Sequence, residues 1–117
     1  MTKVSVVTPA YNADDHIEET IQSVAEQTHD DYEHVIVDDG STDNTKDILD
    51  NAEKRHGHLR VVYHDDNQGI VATRNDAFKA ANGEYYAILD ADDTMHEERL
   101  HKQARFLDDH DEYGMVG

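Results

Sequence analysis

Three aspartates, Asp90, Asp92 and Asp93, follow directly on the apolar run at residues 85–89 (YYAIL). A buried strand that delivers clustered carboxylates to a sheet edge suits a hard divalent cation. Such cations take oxygen ligands, and Mg²⁺ is usually held by one or two carboxylates plus substrate phosphates. In an open α/β sheet, ligands bind outside the carboxyl ends of the strands. The segment therefore points to a metal-bound, phosphorylated ligand. In a chain this acidic, a solvated acidic turn is the plainer reading, and both stand on this segment alone. It is not a calcium-binding EF-hand loop. Counting from Asp90, the sixth and twelfth positions are Met95 and His101, where Gly and Glu are required.

Two other loops carry chemistry-bearing residues. One is Thr8-Pro9-Ala10-Tyr11-Asn12; the other is Asp38-Asp39-Gly40-Ser41-Thr42-Asp43. Tyr11 fits a half-buried tyrosine at a strand end, although an aromatic face can also meet a ligand. Asp39 can accept hydrogen bonds from a ligand. Alternatively, Asp38 and Asp39 open a turn that caps a helix starting near Asp43, with Ser41 or Thr42 as the cap. Asn12 is suited to holding its turn with its side chain.

The elements that must position these residues alternate regularly. Strands are expected at residues 4–8, 33–37, 59–63 and 85–89, from their β-branched and apolar runs. A turn is expected at residues 9–12. Helices are expected at residues 14–27, 43–54, 70–81 and 97–107, from apolar spacings such as Ile17, Ile21, Val24. Residues 113–116 can begin another strand. Strand–helix alternation predicts an α/β, Rossmann-like, mostly parallel sheet with helices on both faces. Such a sheet gathers its carboxyl ends on one edge, so the three loops can line one cleft.

Composition narrows the function. The chain has 117 residues, with 27 Asp plus Glu against 10 Lys plus Arg and a formal net charge of −17. That length suits one domain. This much negative charge repels nucleic-acid backbones. The acids are spread in pairs, as in Asp14-Asp15 and Asp65-Asp66, rather than blocked as in a disordered tail. The pattern reads as a folded protein adapted to high salt, from a halophilic source, with an ordinary acidic surface as the alternative. There is no cysteine, no apolar run long enough to span a membrane and no signal-peptide pattern. The nine histidines show no zinc spacing, and most read as surface residues.

Four segments carry a family resemblance: VSVVTPAYN at 4–12, VIVDDGSTDNT at 35–45, NQGIVATRN at 67–75 and GEYYAILDADD at 83–93. In order and spacing they resemble the inverting GT-A glycosyltransferases often called family 2, from about residue 3 to about residue 110. The resemblance implies transfer of a sugar from a nucleotide-diphosphate donor, most often a UDP-sugar. It implies that Asp92 ligates Mg²⁺ or Mn²⁺, that Asp90 contacts ribose or the metal shell, and that Asp39, beside Asp38, contacts the base. Thr8, Pro9, Ala10 and Tyr11 line the base pocket by the same likeness, Ala91 lies within the DxD, and Arg74 faces the nucleotide. Arg74 has the fork geometry for phosphate or carboxylate, or it forms an ordinary salt bridge. Gly69 permits a tight turn into a helix whose N-terminus can aid a diphosphate. Thr73 departs from the family's usual alanine.

Family members are considerably longer, and no residue here matches their general base. The expectation is one nucleotide-sugar-binding domain at residues 1–117, truncated at its C-terminal end. The acceptor (a saccharide, lipid-linked saccharide or protein) would bind to the missing half. The left-over face would favour self-association. The expected location is cytoplasmic, with peripheral attachment at the inner membrane face as a variant. A catalytically incomplete binding module is the main alternative. A receiver-type signalling domain fits poorly, because the first strand ends in Thr8-Pro9-Ala10-Tyr11 and no Lys follows the last strand. A nucleotidyltransferase would carry a Gly-rich basic loop after its first strand, which is absent.

Overall fold

A computed structural model of the chain describes residues 4–27 and 31–91, and the backbone of residues 115–116. The elements run β1 Val4–Ala10, α1 Ile17–Ala25, β2 Tyr32–Asp38, α2 Thr45–Arg55, β3 Leu59–Tyr63, α3 Ile70–Ala80, β4 Tyr85–Ile88 and β5 Met115–Val116. The strands form one sheet in the order β3-β2-β1-β4-β5, with every pair parallel. This is the α/β architecture expected. The helix expected at residues 97–107 lies outside the described residues.

Parallel strands need crossover helices, and right-handed crossovers decide which face each helix covers. The chain steps from β1 to β2 to β3 in one direction, so α1 and α2 share one face. It then returns across the sheet to β4, which puts α3 on the other. On the first face Ile17, Ile21, Leu49 and Ala52 pack against Ala10, Ile36 and Leu59. On the second, Ala77 packs with Val7 and Val37. Strands covered on both faces become continuous apolar runs, as in VSVVTPA and YEHVIVD. Each fully buried aliphatic side chain, Leu49 for example, contributes about 1.5–3 kcal/mol.

The reversal of direction places a topological switch point between β1 and β4. There the two strands part, and a crevice opens at their carboxyl ends.

Two boundaries differ from expectation. Pro9 and Ala10 belong to β1 and pair with Val37 and Asp38 rather than forming a turn. Val7 O accepts Leu89 N–H from the β4 side, and Ala10 O accepts Asp39 N–H from the β2 side. Alternation therefore turns Pro9 toward the β4 side, beyond the last paired residue of β4, where a missing N–H costs no ladder bond. Helix α1 begins at Ile17, and residues 14–16 form a turn. Asp14 is drawn instead into contacts with the next loop.

Candidate functional site

The β1–α1 and β2–α2 loops are laced together by side chains. Asn12 holds a left-handed backbone (φ 48°), which Asn tolerates better than most residues. Its Oδ1 accepts the N–H of Thr42 at 2.8 Å and that of Asp43 at 3.4 Å. Asn12 N–H in turn donates to Ser41 Oγ at 2.8 Å, and Ser41 Oγ donates to Asp38. Ala13 N–H donates to Thr45 Oγ1 at 2.9 Å. The expected capping by Ser41 or Thr42 is not what occurs. Asp43 Oδ1 takes the Thr45 N–H at 2.9 Å, while Ser41 is spent on Asp38 and Asn12.

Gly40 carries the turn after Asp39, with φ 71°. A Cβ there would lie 2.8 Å from the Asp66 carbonyl carbon and 2.9 Å from Asn67 N. Only glycine lets these two loops approach so closely.

Asp39 is buried and fully engaged on one side. Its carboxylate accepts Gln68 N–H at 2.7 Å, Gly69 N–H at 3.0 Å and His64 Nδ1 at 2.9 Å. Burial alone would push its carboxyl up; the bonds from His64, Gln68 and Gly69 outweigh that and hold it below the usual carboxylate range. Asp39 also lines a half-open pocket of about 180 Å³ with Pro9, Ala10, Tyr11, Gly69 and Thr73. The Thr73 side chain adds a further bond to the same carboxylate, which faces the pocket with its lone pairs drawn on from within the protein. Tyr11 and Ile70, which also line it, are 48% and 54% exposed. They form an apolar rim.

Across the crevice, Arg74 on α3 places a guanidinium nitrogen 3.5 Å from Asp90 Oδ1. Both side chains are about half exposed. Arg74 Nε is buried and has no partner among the described residues. Ala91 is anchored by its carbonyl, which accepts Thr20 Oγ1 at 2.8 Å from α1. Asp92 and Asp93 lie outside the described residues. Among those described, no group of three or more His, Asp or Glu side chains is arranged to hold a metal.

The structure thus brings Pro9, Ala10, Tyr11, Asp39 and Gly69 to one pocket, with Arg74 and Asp90 as a pair. Thr8 and Asp38 are turned inward. Thr8 Oγ1 lies 2.8 Å from His34 Nε2 within the α1 side of the core, and Asp38 binds Ser41. Two histidines are exceptions to the surface reading made for most of them. His34 is buried, and burial, with the nearby His56, pushes it down to about 3. The His64 side chain, 7% exposed, lies between Asp39 and Asp76. His64 shared the carboxyl-edge position that singled out Asp39, since it directly follows β3.

The description "Glycosyl transferase family 2" matches residues 5–117. The glycosyltransferase TuaG of Bacillus subtilis (strain 168) is 48% identical over 104 residues, covering 89% of this chain and 41% of TuaG. The chain therefore spans less than half the length of that curated relative. Among solved structures, S. aureus TarS 1–349 in complex with UDP superposes with a TM-score of 0.85 at 37% identity, covering 92% of this chain and 32% of TarS. A TarS structure with UDP-GlcNAc superposes equally well. The mannosyltransferase PcManGT from Pyrobaculum calidifontis, in complex with GDP-Man and Mn²⁺, has a TM-score of 0.83 at 30% identity, covering 89% of this chain and 32% of PcManGT. With a family match over residues 5–117, and with these likenesses in sequence and fold, the chain belongs to glycosyl transferase family 2.

Proposed function

We propose that the chain is the donor-binding part of an inverting glycosyltransferase that takes a metal-complexed UDP-sugar. The observation that carries this reading is the pocket formed by Pro9, Ala10, Tyr11, Asp39 and Gly69 at the switch point, with Arg74 and Asp90 beside it. Tyr11 offers an aromatic face to a base. Asp39 sets an anionic carboxylate in the pocket wall, where sharing it with an imide N–H would favour uracil. Thr8 and Asp38 support this pocket from behind, and Ala91 holds the backbone at the end of β4. Arg74 and the N-terminus of α3 suit the diphosphate.

Asp90, with Asp92 after it, would hold Mg²⁺ or Mn²⁺, and its half-exposed position leaves room for diphosphate oxygens as further ligands. A bound cation would neutralise charge developing on the departing UDP. In the transfer, the acceptor oxygen bonds to the anomeric carbon from the face opposite UDP. The bond from that carbon to the phosphate oxygen breaks, and a base takes the acceptor proton. Of the acids described in the cleft, Asp38 is engaged by Ser41 and Asp39 by His64, Gln68 and Gly69, while Asp90 pairs with Arg74 and is assigned to the cation. This supports a general base beyond the described residues, and it keeps a catalytically incomplete binding module as the second reading.

Calorimetric titration with UDP, with and without Mn²⁺, tests the proposal on the chain and on Asp92→Ala, Asp90→Asn and Arg74→Ala. Metal-dependent binding that is lost in Asp92→Ala and weakened about tenfold in Arg74→Ala is expected. Metal-independent binding overturns the cation assignment, and tighter binding of GDP than UDP overturns the base assignment.

A further inference from the structure

His64 leaves β3 at the carboxyl edge and turns its ring between two carboxylates. Nδ1 lies 2.9 Å from Asp39 Oδ1, and Nε2 lies 2.7 Å from Asp76 Oδ2. The side chain is 7% exposed. A neutral imidazole carries one N–H and one lone pair. Placed here, that lone pair would face an anionic oxygen at hydrogen-bonding distance. The geometry therefore calls for an N–H on both nitrogens, which makes the ring an imidazolium. The hydrogen bond to Asp39, together with the bond and charge of Asp76, outweighs desolvation and holds His64 above the usual histidine range.

The bridge ties three parts of the pocket together. Asp39 ends the β2 side and Asp76 lies on α3. The same Asp39 carboxylate accepts the N–H groups of Gln68 and Gly69, just before α3 begins. His64 also donates its backbone N–H to Asp38 O at 2.8 Å. The charged groups facing the ring are Asp39 from the loop after β2 and Asp76 from α3, with Asp65 and Asp66 next in its own loop. Losing the ring proton removes one of the two bridging bonds and leaves a lone pair against a carboxylate.

We propose that His64 is a positioning residue for the nucleotide pocket: by bridging Asp39 to Asp76 it sets the orientation of the Asp39 carboxylate and seats residues 67–69 against it, so nucleotide affinity is high with His64 protonated and falls when it is neutral. This rests on the nucleotide reading above. His64 touches the pocket only through Asp39.

The test is calorimetric titration of the full 117-residue chain with UDP and Mg²⁺ at several pH values between 5.5 and 8.5. It is paired with NMR titration of the His64 ring and of the Gln68 and Gly69 amides. Affinity is expected to fall as pH rises through the His64 midpoint. His64→Gln should bind UDP about tenfold more weakly at the acid end and lack that step. Because it retains the titration of UDP itself, it also serves as the baseline. Asp76→Asn removes a partly exposed charge and should move the step to lower pH with folding intact. Unchanged affinity and profile in both variants overturns the proposal. If His64→Gln does not fold, Asp76→Asn decides alone. If the chain binds no UDP at any pH, the nucleotide reading fails separately. The positioning role is then judged by whether the Gln68 and Gly69 amides follow the His64 midpoint and shift with it in Asp76→Asn; amides indifferent to that midpoint overturn it.

Discussion

Asn12 Oδ1 accepts the Thr42 N–H at 2.8 Å, joining two loops 30 residues apart in the chain. One side chain thereby satisfies backbone donors of a neighbouring turn and holds Tyr11 beside Asp39. Asn12→Ala removes that acceptor and leaves a β-carbon in a left-handed conformation, so it should cost about 1–3 kcal/mol. Asn12→Gly loses the acceptor but keeps the backbone, and should cost less. Urea unfolding of the three proteins checks this; equal midpoints for Asn12→Ala and the parent would show that the lacing contributes nothing.

Two glycines make a controlled comparison. Gly40→Ala forces a Cβ to within 2.8–2.9 Å of the backbone of Asp66 and Asn67, at φ 71°. It should unfold far more readily than the parent, by roughly 2 kcal/mol or more. Gly57 has nothing within 4 Å of an added Cβ, and Gly57→Ala should stay within about 0.5 kcal/mol. Comparable melting temperatures for the two variants would contradict the close approach of the loops.

His34 and His64 together predict a stability maximum in pH. His34 is pushed down to about 3 by burial, so below 6.5 the unfolded chain binds the extra proton and stability falls as pH drops. His64 is raised through its bond to Asp39, so its contribution is complete below 6.5 and is lost as pH climbs through its folded value. Asp39 is held low despite burial, so its share is present above 3.8 and lost in stronger acid. The maximum should lie near pH 6.5. Denaturant unfolding from pH 4 to 9 reads it directly. His34→Gln should flatten the acid limb and His64→Gln the alkaline limb; a profile that only rises or only falls across that range contradicts the assignment.

Salt should stabilise this chain. A net charge of −17 repels itself in the compact state. Raising ionic strength from 0.1 M to 1 M shortens the screening length from about 10 Å to about 3 Å. The melting temperature should therefore climb by several degrees with added KCl. A flat or falling response would remove the basis for reading the composition as an adaptation to high salt.

Much of the site was legible in the chain. VSVVTPA and YEHVIVD are apolar enough to be strands buried on both faces, and strand–helix alternation forces a parallel sheet with its carboxyl ends together. From that alone Tyr11, Asp39 and Asp90 had to share an edge. Gly69 marked a turn because a positive φ is a local, residue-level requirement. The partners of Asp39 were not legible, because hydrogen bonds to His64, Gln68 and Gly69 close over 25 to 30 residues and no local pattern encodes them. Nor was the inward turn of Thr8 onto His34, since the face a strand residue meets depends on which helix covers it. Spacing along the chain decided which residues reach the edge of the sheet. Only the packed sheet decided which of them face the pocket and which are used to hold it.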